Sequence, residues 1–64
     1  MSIGANIGKL RTKKGLSQKQ LAEATSVTKG MIARIEIDDR VPPLLLAARI
    51  ADVLGCTVDD LLKQ

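Results

Sequence analysis

Three times the chain repeats one six-residue pattern: LSQKQL at 16–21, VTKGMI at 27–32 and CTVDDL at 56–61. Each run opens with an apolar residue, continues with Ser or Thr, and closes on a second apolar residue. The first turn of any helix has backbone N–H groups with no partner inside the helix. A hydroxyl at the cap position accepts from one of them. The flanking apolar residues can then close over the cap as a hydrophobic staple, here Leu16 on Leu21, Val27 on Ile32 and Cys56 on Leu61. Gln20 and Asp60 stand where a capping box needs a side chain reaching back to the cap. These starts commit the chain to short helices.

Two further helices show other punctuation. Helix 1 is expected from about Ile3 to Lys14, with Ser2 as cap and Ile3, Ile7 and Leu10 on one face. Gly15 supplies the left-handed residue after it, and Lys13 and Lys14 suit the negative end of its dipole. Helix 4 follows VPP, with Pro43 expected at its first position. Its buried stripe should be Leu46, Ile50, Val53 and Leu54, with Gly55 ending it. Helix 5 should run from Val58 to Lys63. No segment alternates with the period of a strand. The expected fold is all-α, a compact bundle of five helices forming one domain over residues 1–64.

The composition narrows the chemistry. There is no Phe, Trp or Tyr, so Leu, Ile, Val and Ala must build the core. A domain of ~60 residues buries only about 60% of the surface its unfolded chain exposes, so stability is expected to be marginal. The lone Cys56 allows no internal disulfide. There is no His, no Cys/His set for zinc and no Gly-rich phosphate loop. Asp59 and Asp60 are explained by the dipole at the start of helix 5. No apolar run nears the ~20 residues of a membrane span. The start, MSIGANIGKL, lacks the pattern of a signal peptide. The expectation is a cytoplasmic protein that is not an enzyme, with no cofactor, no metal and no membrane contact.

Charge is unevenly spread. Residues 1–34 carry seven Lys or Arg and one Glu, whereas residues 35–64 carry three basic and six acidic residues. A basic face suits a polyanion, although a solvated surface accommodates such counts equally well. Only Ser26, Val27 and the cap Thr28 separate helices 2 and 3, and Ala22 is small at their joint. That is the spacing of a helix-turn-helix, whose second helix enters the major groove. Ile32 and Ile35 fall on one side of helix 3, with Lys29, Gly30, Ala33 and Arg34 on the other. Small residues let a helix axis approach base edges, and Lys29 and Arg34 can donate to guanine O6 and N7. Thr28 lies where helix N–H groups favour a phosphate. A solvent-facing helix could carry the same charges, so helix 3 alone leaves both readings open.

The residues IGKLRTKKGLSQKQLAEATSVTKGMIARIE, RVPP and ARIADVLGCTVDDLL together resemble the phage repressor and Cro (XRE) family of helix-turn-helix domains. The resemblance covers nearly the whole chain. It rests on Leu10-Arg11, Gly15-Leu16-Ser17-Gln18, Leu21-Ala22, Ile32 and Ile35-Glu36 at these spacings. It implies a lambda-repressor-like five-helix fold that binds a palindromic operator in double-stranded DNA as a homodimer, usually as a repressor. It further implies base reading by Lys29, Gly30, Arg34 and Gln18. Phosphate contacts are implied for Thr28, Ser17, Lys19 and Arg40, and an internal ion pair for Arg11 and Glu36. For self-association, Leu62 is the expected interface residue with Val58 beside it, since helix 5 carries more apolar residues than one face needs.

Some positions depart from the family pattern. Ser26 stands in the turn where Gly is usual, at a cost of order 1 kcal/mol if its φ is positive. Ile37-Asp38 replaces the usual Asn-Gly, and Asp38 and Asp39 put negative charge near a loop expected to meet phosphates. Gly30 has no side chain to read with. The rival reading is a protein-interaction module or antitoxin that keeps the fold with weak operator binding, and exposed Ile37 with the acidic loop favours such a protein partner.

Overall fold

The computed structural model describes residues 2–63. Its helices are α1 (Ile3–Lys13), α2 (Gln18–Thr25), α3 (Lys29–Glu36), α4 (Leu44–Leu54) and α5 (Val58–Leu62), and the described residues include no strand. The cap grammar operates as the pattern requires. The hydroxyls of Ser2, Ser17, Thr28 and Thr57 each accept from the backbone N–H three residues on, at 3.0–3.1 Å. Two capping boxes close in the other direction. Ser17 N–H donates to Gln20 Oε1 at 2.8 Å, and Thr57 N–H to Asp60 Oδ2 at 3.0 Å. The Thr57 N–H, followed by the Lys63 ammonium at 3.0 Å, holds the Asp60 carboxyl down to about 2.

Helix ends differ slightly from the sequence expectation. Lys14 caps α1 rather than belonging to it, and Lys63 is extended beyond α5. Pro43 is the cap of α4, not its first residue, with φ −58° and ψ 154°. As cap it contributes a carbonyl, which accepts from Ala47 N–H at 2.9 Å, and its missing N–H is harmless. Val53 is only half-buried, while Ala47 and Ala51 complete the buried face with Leu46, Ile50 and Leu54. Successive helical residues turn by ~100°, which puts Val53 on the flank of that stripe.

The core is aliphatic. Ile7, Leu21, Ile32, Ile35, Ile50 and Leu61 are fully buried, so each of the five helices sends at least one side chain inward. Helix α2 packs on α3 and α4, and α1 packs on α3, α4 and α5. Buried polar groups are satisfied: Thr25 Oγ1 donates to Leu21 O at 2.8 Å. Asn6 Nδ2 donates to Leu61 O at 2.7 Å and Lys63 O at 2.6 Å, fastening the end of α5 to α1.

Three positions show backbone demands. Gly4 is buried where α1 crosses the end of α3, and a Cβ there would collide with the Ile35 carbonyl. Ser26 and Asp38 are left-handed, at φ 62° and 64°. Asp38 thus takes the left-handed conformation at the place where the resemblance implies Gly. Asp tolerates that region because its short polar side chain can bond locally. The Asp38 carboxylate lies beside Gly4 in the first turn of α1, where a helix dipole favours negative charge.

Gly4→Ala tests the crossing. Helix propensity alone would stabilise the variant by ~1 kcal/mol. The collision with Ile35 should instead destabilise it by about 1–3 kcal/mol in urea unfolding. A variant more stable than the parent would contradict the close approach. In the same assay Ser26→Gly should stabilise by about 0.5–1 kcal/mol, because it relieves a left-handed Ser.

Candidate nucleic-acid interface

Helices α2 and α3 meet at a joint with almost no side-chain bulk. Ala22 is 2% exposed there, and Val27 N–H donates to Ala22 O at 3.0 Å, closing the turn. Left-handed Ser26 makes the reversal sharp enough for α3 to begin at Lys29. Ile32 and Ile35 are wholly buried, which fixes the rotation of α3 about its axis. Lys29, Gly30 and Arg34 are consequently exposed, with Met31 and Ala33 half-buried at the edges. Thr28 Oγ1 accepts from Met31 N–H at 3.1 Å, which leaves its own O–H proton to give.

A buried-edge ion pair anchors the end of α3. Arg11 Nε donates to Glu36 Oε2 at 2.7 Å, and Arg11 Nη2 donates to Oε1 at 3.1 Å. Their side chains are 17% and 10% exposed. Arg11 Nη1 also donates to Leu16 O at 2.7 Å, tying the loop before α2 into the same cluster. The hydrogen bond to Glu36, opposed by desolvation and aided by its charge, holds the Arg11 guanidinium still further above its ordinary value. Gln18 joins from the first turn of α2, its Nε2 donating to Glu36 Oε1 at 3.0 Å. Gln18 therefore meets the ion pair, a partner that the sequence reading did not give it. One amide hydrogen and Oε1 remain for an outside group.

The other sequence-derived positions are spread around this centre. Ser17 and Lys19 are exposed at the start of α2, and Arg40 is exposed in the loop after α3. Leu62 is 56% exposed on α5, whereas Val58 is half-buried and packs on the core. Two features escaped the sequence reading. Thr28, Gly30, Met31 and Arg34 line an open notch of about 240 Å³ on the outer side of α3. Val41, Leu44 and Leu45 join Ile37 as large apolar residues at least 66% exposed. Among the described residues, no helix is long and apolar enough to cross a membrane, and no acidic, His or Cys cluster could hold a metal ion.

Comparison with known proteins supplies independent context. The Helix-turn-helix family matches residues 7–61. An uncharacterised HTH-type transcriptional regulator of Bacillus subtilis, YgzD, is 39% identical over 54 residues, covering 84% of this chain and 82% of that protein. The structure of SinR, a master regulator for biofilm formation, in complex with DNA superposes with a TM-score of 0.89 at 32% identity, covering 95% of this chain and 98% of that one. The P22 c2 repressor in complex with synthetic operator 9T gives a TM-score of 0.93 at 25% identity, covering 98% and 96%. Some matched regulators are longer; this chain spans 63% of one of them.

The ion pair yields a direct test. Glu36→Ala leaves the Arg11 guanidinium without its partner at a mostly buried site. Loss of one member of such a pair costs about 3 kcal/mol or more, against under ~1 kcal/mol for an exposed pair. Denaturant unfolding should show the larger loss, with Gln18→Ala costing about 1 kcal/mol. A Glu36→Ala loss of a few tenths would remove the pair from the structural account.

Proposed function

We propose a function from one premise: the chain belongs to the phage repressor and Cro-like family of helix-turn-helix transcriptional regulators. It binds double-stranded DNA in a sequence-dependent manner, with α3 in the major groove. The observation that carries this reading is the outer face of α3. Exposed Lys29, Gly30 and Arg34 combine two cations with a missing side chain on a helix whose inner face is locked by Ile32 and Ile35. The small residue allows close approach, and the cations suit guanine O6 and N7. Thr28, Ser17, Lys19 and Arg40 serve phosphates, while Gln18, steadied by Glu36, offers its remaining polar atoms to a base or phosphate edge.

One reading helix rarely gives strong specificity. The chain therefore acts as a homodimer on a palindromic site, with reading helices one DNA turn, about 34 Å, apart. Exposed Leu62 is the interface residue, with Val58 supporting it from the core side. The contact is small and forms at the operator. Such a regulator works in the cytoplasm as a repressor. Exposed Ile37, Val41, Leu44 and Leu45 favour a protein partner in addition to DNA, rather than an interaction module in its place.

Arg34→Ala should weaken binding to a selected site by about 1–3 kcal/mol and relax preference at one base pair. Equal losses on selected and random duplexes would remove Arg34 from base reading. Arg40→Ala should weaken all duplexes alike and lower the slope of log K against log salt by about 1. For the dimer, mass in solution is measured with rising protein, with and without a palindromic site. Leu62→Lys should abolish cooperative pairing on the palindrome, and wild-type cooperativity in that variant would exclude Leu62 from the interface.

A further inference from the structure

Asn6 is an unexpected residue for its place. It lies inside α1 and is 8% exposed, although Asn is a poor helix former and a costly side chain to bury. Its reason lies at the other end of the fold. An amide nitrogen carries two hydrogens, and both are used: Nδ2 donates to Leu61 O at 2.7 Å and to Lys63 O at 2.6 Å. These carbonyls belong to the end of α5, where a helix leaves such groups without internal partners. Helix α5 has only five residues, and the chain turns extended at Lys63. A helix that short cannot hold itself in water. Its last turn is otherwise restrained by burial of Leu61 and by the Asp60–Lys63 pair at 3.0 Å, whose exposure makes it weak.

Leu62 stands between the two clasped carbonyls and is 56% exposed. An apolar contact carried on a frayed helix end must be ordered at the moment of pairing, which lowers affinity. The clasp orders it beforehand. We propose that Asn6 is a positioning residue for pairing on DNA: from α1 it fixes the backbone on both sides of Leu62 and presents that side chain preformed to a second copy of this chain. Asn6 itself touches neither DNA nor the partner copy. The inference rests on the proposed dimer with Leu62 at its interface.

The readout is cooperativity, the second copy's affinity for a palindromic duplex divided by its affinity for a single half-site. Asn6→Ala should lower that ratio about tenfold, which matches the net worth of one to two hydrogen bonds, and leave half-site affinity within about twofold. Gly4→Ala weakens the fold elsewhere on α1 and should leave the ratio unchanged, which separates loss of the clasp from general loss of stability. A second measurement uses the parent chain and needs no variant to fold. The side-chain amide hydrogens of Asn6 should exchange with solvent at least about tenfold more slowly than those of exposed Gln20. Parent-like cooperativity in Asn6→Ala, or Asn6 hydrogens that exchange as fast as those of Gln20, overturns the inference and leaves the proposed dimer intact. A parent chain that shows no cooperativity, or a Leu62→Lys variant that keeps it, overturns both.

Discussion

The carboxylate of Glu36 is the point on which the arrangement turns. It sits at the last residue of α3 and receives hydrogen bonds from Arg11 of α1 and Gln18 of α2. Arg11 in turn holds the Leu16 carbonyl just before α2. Burial of Ile32 and Ile35 sets which side of α3 turns inward, but a non-directional interaction leaves the helix some latitude along that face. A bidentate guanidinium–carboxylate pair has a fixed geometry and does not. The cluster therefore sets the register of α3 against α1 and α2, and sharpens the facing of Lys29 and Arg34 that burial of Ile32 and Ile35 provides. It is also an obligation, because removing one partner leaves a charge at a mostly buried position.

A small aliphatic core can support this only if the helix ends are secure. The sequence makes those ends local problems, solved by hydroxyls three residues from their donors. That is why the helix starts are legible without tertiary information. A positive φ at Ser26 entered the sequence reading only as a condition, from the Gly usual at that place in the resembling family, and the structure shows Ser26 left-handed. The sequence reading missed Gly4 because close crossing of α1 and α3 is a relation between residues far apart in the chain, invisible to any local pattern. It read Asp38 as a charge near DNA, whereas the backbone uses it as a left-handed residue and turns its carboxylate to the start of α1. It gave Val53 to the core because a helical stripe has a fuzzy edge, and Ala47 and Ala51 were small enough to be overlooked.

The face of α3 was legible for a related reason. Burial of Ile32 and Ile35 fixes which residues point away, so period alone assigns Lys29, Gly30 and Arg34 to the outside. Period says nothing of shape. The notch depends on Met31 being held by the core while Gly30 leaves space, which only a packed structure displays. The apolar group at Val41, Leu44 and Leu45 was likewise passed over: the expected stripe began at Leu46, and period does not say whether apolar residues off a stripe stay uncovered.

The account's central claim is that one face, built around α3 and the start of α2, meets DNA. Isotope-labelled protein titrated with a short duplex, followed by amide chemical shifts at two salt concentrations, addresses it residue by residue. The account predicts that Ser17, Lys19, Thr28 through Arg34, and Arg40 move together, and that the shifts collapse as salt rises. Asp52 and Gly55, at the end of α4, should stay in place. Shifts confined to Val41 through Leu45, with Thr28 to Arg34 unmoved, would contradict it.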